Sequence, residues 1–70
     1  MYDFPHRLKA LRIQKKMSQT EVGSLIGANA NTVGKWERGI TQPNASALYL
    51  LCEMTGTDIR WLLGMTDERP

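Results

Sequence analysis

Between Ser18 and Gly39 the chain starts a helix twice and stops it with glycine twice, which leaves room for little except two short helices joined by a tight turn. Ser18 followed by Glu21 is a capping box: hydroxyl and carboxylate each satisfy a backbone N–H left open at a helix start. The apolar positions Val22, Leu25 and Ile26 then recur at helical spacing and are assigned inward. Gly27 follows, where glycine enters the left-handed conformation without steric penalty. Asn29, three positions before Thr32, caps the next helix. A buried stripe centred on Val33 brings in Trp36 and Glu37 and leaves Asn31, Lys35 and Arg38 on the other side. The second helix therefore has an apolar back and a polar, basic front, a shape that fits the major groove of DNA.

The flanking sequence extends this pattern to five helices. Phe4, Leu8, Leu11 and Lys15 share one face of a helix over 5–16, and Pro5 suits its first turn. Thr41 to Asn44 supply turn chemistry after Gly39, and Asn44 caps a fourth helix carrying Leu48, Leu51, Cys52 and Thr55. Gly56 ends it. Asp58 caps a short fifth helix over 59–63, and Gly64 releases a polar tail, 65–70, expected to be frayed or to begin a linker. Strand alternation, internal repeats and low-complexity tracts are missing from the sequence, so 1–64 reads as one all-α domain.

Composition excludes several functions. One cysteine, Cys52, and one histidine, His6, among 70 residues build neither a disulfide framework nor a metal site. Paired carboxylates and a phosphate loop are lacking too, so the chain reads as a non-enzyme without cofactor or metal. No apolar run approaches a membrane span, and the N-terminus lacks a secretion signal, which points to the cytoplasm. Gly23-x-x-x-Gly27 has the form of a membrane dimerisation motif but lies among residues too polar for lipid. Five of the nine basic residues, Arg7, Lys9, Arg12, Lys15 and Lys16, fall within ten positions. Such a run is as readily a solvated helix face as a nucleic-acid contact, so charge alone does not decide.

From Leu8 to Gly64 the chain resembles the phage repressor and Cro-like helix-turn-helix family, also called XRE. The resemblance rests on Ser18-Gln19 with Glu21, Gly27 at the turn, Trp36-Glu37-Arg38-Gly39, Pro43, and Trp61-Leu62-Leu63-Gly64. It implies a compact five-helix bundle of the lambda-repressor-like type, with the helix-turn-helix at about 19–38 and its second helix in the major groove. The first turn of that helix, Asn29, Ala30 and Asn31, then reaches base edges. Asn31 suits a paired contact to adenine N6 and N7, Ala30 offers a methyl to thymine, and Lys35 reaches guanine. Gln19, Arg38 and Asn44 are assigned to phosphates, which set register without reading sequence.

The same resemblance pairs Arg12 with Glu37 as a structural ion pair and puts a dimer interface near Arg60 and Trp61. It implies a small residue at position 23, where glycine for alanine loosens the second helix, and a thinner core at Thr55, where leucine is usual. Gly34 stays unexplained, either a close approach to DNA or a neutral choice. The functional expectation is a bacterial or phage transcriptional repressor, binding a pseudo-palindromic double-stranded DNA operator as a homodimer. The competing reading is an antitoxin-type module that also binds a partner protein.

Overall fold

The computed structural model describes residues 1–68, and the positions 69 and 70 of the expected tail lie outside it. Among the described residues five helices follow one another: α1 (Phe4–Gln14), α2 (Gln19–Ile26), α3 (Ala30–Glu37), α4 (Ala45–Thr55) and α5 (Ile59–Leu62). No strand occurs among the described residues.

Local chemistry sets the boundaries. At α2 the Ser18 hydroxyl accepts the Glu21 N–H at 3.0 Å while the Glu21 carboxylate accepts the Ser18 N–H at 2.8 Å. The carbonyl oxygens of Asn29 and Asn44 accept from Thr32 and Ala47, each at 2.9 Å, and Asp58 accepts from Arg60 at 2.8 Å. A cap of this kind is worth about 1 kcal/mol. Gly27 and Gly56 close α2 and α4 in the left-handed region, at φ 74° and 67°. α1 ends earlier than its pattern suggests, at Gln14. Lys16 turns to φ 57° instead, and Lys15 is an exposed cap rather than part of the apolar face.

Every helix feeds one core: Phe4, Leu8 and Leu11 from α1, Val22 from α2, Val33 and Trp36 from α3, Leu51 from α4, Trp61 and Leu62 from α5. Burying one such side chain stabilises by about 1.5–3 kcal/mol relative to leaving it in water. Leu25, expected inward, is half-buried and lies outside this cluster, whereas Val22 is in it and Ile26 packs against it. α4 supplies a single fully enclosed side chain, Leu51, and the Thr55 hydroxyl turns back to the Leu51 carbonyl.

Gly23 is more than a loosened alanine. A Cβ there would stand 2.8 Å from the carbonyl oxygen of Ala28 and 3.2 Å from the backbone of Asn29. Backbone touches backbone where α2 passes the α2–α3 turn.

Trp61 faces the opposite way from the surface position assigned to it. Only 8 % exposed, it belongs to the core, with the Arg7 guanidinium 5.1 Å from its ring centroid. α5 is one turn long, too short for a period to distinguish its faces, and Trp61 and Leu62 both turn inward. The segment after Gly64 is also held rather than frayed as far as Asp67. Arg7 donates to the carbonyls of Trp61 and Thr66 at 2.9 and 2.6 Å and pairs with the Asp67 carboxylate at 2.6 Å.

Candidate nucleic-acid interface

One carboxylate organises the helix-turn-helix. Glu37, at the end of α3, has a side chain only 4 % exposed, and an ion buried that far is stable only with partners. Arg12 supplies two bonds, Nε to Oε2 at 2.7 Å and Nη2 to Oε1 at 3.1 Å, and its third donor reaches the Met17 carbonyl at 3.1 Å. The Arg12 guanidinium is pushed above its ordinary value, chiefly by that hydrogen bond to Glu37. The amide of Gln19 donates to Glu37 Oε1 at 3.2 Å. Residues of α1, α2 and α3 thus converge on one group, which is the Arg12–Glu37 pairing with Gln19 added.

That addition changes how Gln19 is read. Its amide is half-buried and engaged with protein, so the groups it leaves for a phosphate are a second amide hydrogen and the backbone N–H at the start of α2. No sequence signal marked the Gln19–Glu37 contact, because the two lie 18 positions apart on different helices.

The front of α3 is open. Asn31 and Arg38 are exposed, and the side chain of neither has a hydrogen-bond or ion-pair partner among the described residues; the Lys35 side chain is half-exposed and likewise unpartnered. Asn29 and Asn44 are exposed but each commits its carbonyl oxygen to a helix cap, leaving the NH₂ donors outward. Ala30 is half-buried. A paired contact to adenine needs an acceptor and a donor together, so Asn31 has a free set and Asn29 does not. Behind this face Val33 is fully buried and Trp36 is 5 % exposed. α3 therefore divides into a wall and a front, the amphipathic split that its sequence carries.

Gly34 lies under two side chains. A Cβ added there would be 3.1 Å from Nη1 of Arg38 and 3.5 Å from both terminal atoms of Gln19. Among the described residues no three histidine, cysteine, aspartate or glutamate side chains gather as a metal site, and no helix is long and apolar enough to cross a membrane.

A helix-turn-helix family profile matches residues 8–62, which takes in all of α2 and α3 and the residues that converge on Glu37. This chain belongs to the XRE-type helix-turn-helix family. The helix-turn-helix domain is 32 % identical over 60 residues to an uncharacterised HTH-type transcriptional regulator of Haemophilus influenzae, covering 86 % of this chain and 25 % of that protein. It spans a quarter of the length of that relative. Among solved structures it is similar to the P22 c2 repressor in complex with a synthetic operator, with TM-score 0.82, 27 % identity and coverage of 90 % of this chain and 96 % of that one. It is also similar to part of hydroxypropylphosphonic acid epoxidase from S. wedmorenis, with TM-score 0.78, 33 % identity and coverage of 86 % of this chain but 32 % of that one. The fold is thus that of a repressor's DNA-binding domain, and the likeness to the epoxidase is confined to a third of that enzyme.

Proposed function

We propose that this domain binds double-stranded DNA in a sequence-specific way and regulates transcription, as a bacterial or phage repressor acting on a pseudo-palindromic operator. The observation that carries the reading is the division of α3. Its apolar residues and Glu37 are consumed by the core, while Asn31, Lys35 and Arg38 are left without protein partners on the opposite side. In this reading α3 enters the major groove, where Asn29, Ala30, Asn31 and Lys35 meet base edges. Gln19, Arg38 and Asn44 meet phosphates. The likeness to a repressor solved with its operator supports the assignment.

A homodimer is part of the proposal, because one such module buries only about 600–1,000 Å² on DNA and gains specificity from a second half-site about 34–36 Å away. Arg60 remains on the exposed side of α5, beside Ile59, which is 42 % exposed; Trp61 contributes from beneath as packing. The domain would work in the cytoplasm, on the nucleoid.

Selection of bound sequences from random duplex DNA tests the reading. The expected result is a consensus with two-fold symmetry, and Asn31→Ala should weaken binding to that consensus by about 1–3 kcal/mol while leaving mixed-sequence binding unchanged. Uniform binding to all duplexes, equally affected by Asn31→Ala, would defeat it.

A further inference from the structure

Gly34 is the residue that helix propensity explains least. It occupies the interior of α3, where glycine is poorer than alanine, yet it has no positive φ and closes no turn. Backbone freedom is not what glycine supplies at this position. The space over it is occupied from both sides: Arg38, one turn later on the same face, brings Nη1 to 3.1 Å from the missing Cβ, and Gln19 brings both terminal amide atoms to 3.5 Å. Gln19 is not free to swing aside, since Glu37 holds its amide at 3.2 Å. One wall of the notch is therefore fixed, and the guanidinium lies over the same missing side chain.

We propose that Gly34 is a positioning residue for DNA binding: its missing side chain seats Arg38 beside Gln19, so that a cation from α3 and the start of α2 act on one phosphate. The inference rests on the DNA-binding reading above. The first N–H groups of α2, those of Gln19 and Thr20, have no acceptor within their own helix, and the helix dipole adds partial positive charge there. A guanidinium held alongside turns two separate weak contacts into a single clamp with fixed spacing. Without the notch, the exposed Arg38 side chain would sample more rotamers, and ordering it would subtract from the binding free energy.

The test uses Gly34→Ala, for which the structural and functional effects point in opposite directions. Alanine favours the helix, so the thermal midpoint should hold or rise. Binding to a mixed-sequence duplex, titrated at several salt concentrations, should weaken about three- to tenfold, and the slope of log K against log salt should shrink by about 0.9, the value of one phosphate. In an Arg38→Ala background, Gly34→Ala should change neither quantity. Wild-type affinity and slope in a folded Gly34→Ala protein would overturn the proposal and leave the DNA reading standing. Should Gly34→Ala lower the midpoint, Arg38→Gln with the glycine in place decides: a slope smaller by about 0.9 supports the clamp, and an unchanged slope overturns it. A wild-type protein with no salt-dependent affinity for duplex DNA would overturn the DNA reading, and the clamp with it.

Discussion

Arg7 and Arg12 stand on the same helix, and the side chain of each is 15 % exposed, yet they hold the molecule by different means. Arg12 meets a carboxylate that is itself 4 % exposed and shares it with Gln19. Arg7 lies on the Trp61 ring, donates to two backbone carbonyls, and faces two carboxylates that water reaches, Asp67 at 2.6 Å, 96 % exposed, and Asp3 at 3.6 Å, 39 % exposed. The difference teaches that a basic run need not be a binding surface. Two of the five basic residues in the run from Arg7 to Lys16 are fasteners, one for the helix-turn-helix and one for the chain after Gly64. They also differ in consequence, since loss of a buried partner leaves a charge with nothing to face, whereas loss of an exposed one leaves it to water.

Three measurements would sharpen or break that contrast. The largest effect belongs to Glu37→Ala, which should destabilise by about 3–5 kcal/mol in denaturant unfolding because it strands Arg12. A domain of this size holds roughly 4–10 kcal/mol, so the variant sits near the edge of folding. Arg12→Met combined with Glu37→Leu should recover most of the loss, and a loss below about 1 kcal/mol for Glu37→Ala would put both arginines in one class.

Arg7→Met comes next. Its stem still covers Trp61, so the change isolates the polar bonds, and about 2 kcal/mol is expected, against less than about 1 kcal/mol for Asp67→Asn. Both variants should keep the DNA preference of the wild type.

The smallest effect is that of acid. Glu21 lies below the ordinary carboxylate range because it accepts the Ser18 backbone N–H, with the neighbouring Ser18 side chain second; Asp58 lies below it through the Arg60 side chain first and the Arg60 N–H second. Unfolding returns both groups to ordinary values, so their contribution is whole above those values and is lost as pH falls through the lowered ones. The acid limb of stability, below about pH 4, should flatten slightly and similarly in Glu21→Gln and Asp58→Asn. A large change in only one of them would mean that its cap does more than end a helix.

What could be read from the sequence followed the range of the interactions. The capping box at Ser18, the caps at Asn29, Asn44 and Asp58, and the glycine stops involve neighbours two to four positions apart, and all are present. The inward stripe of α3 was legible for the same reason, since eight residues cover two turns. Trp61 was not, because a single turn has no periodicity to tell its faces apart. The Arg7 fastening joins residues 54 to 60 positions apart, and the motif Trp61-Leu62-Leu63-Gly64 names one end of it without the other. Arg12 with Glu37 was available only through the family resemblance; nothing in their spacing shows that Gln19 would join them. Gly34 was visible as an anomaly, but its meaning depends on two side chains that only the fold brings over it.

The meeting of α1, α2 and α3 at the Glu37 carboxylate has a consequence for the partner as well. In the proposed complex α3 is braced at three points, so a duplex docking on it would meet a nearly finished surface and little of the binding energy would be diverted to ordering the backbone. Accommodation then falls to the DNA. Base steps that bend or narrow easily beside the contacted positions would be favoured over stiff ones, and preference would extend to base pairs that no side chain touches.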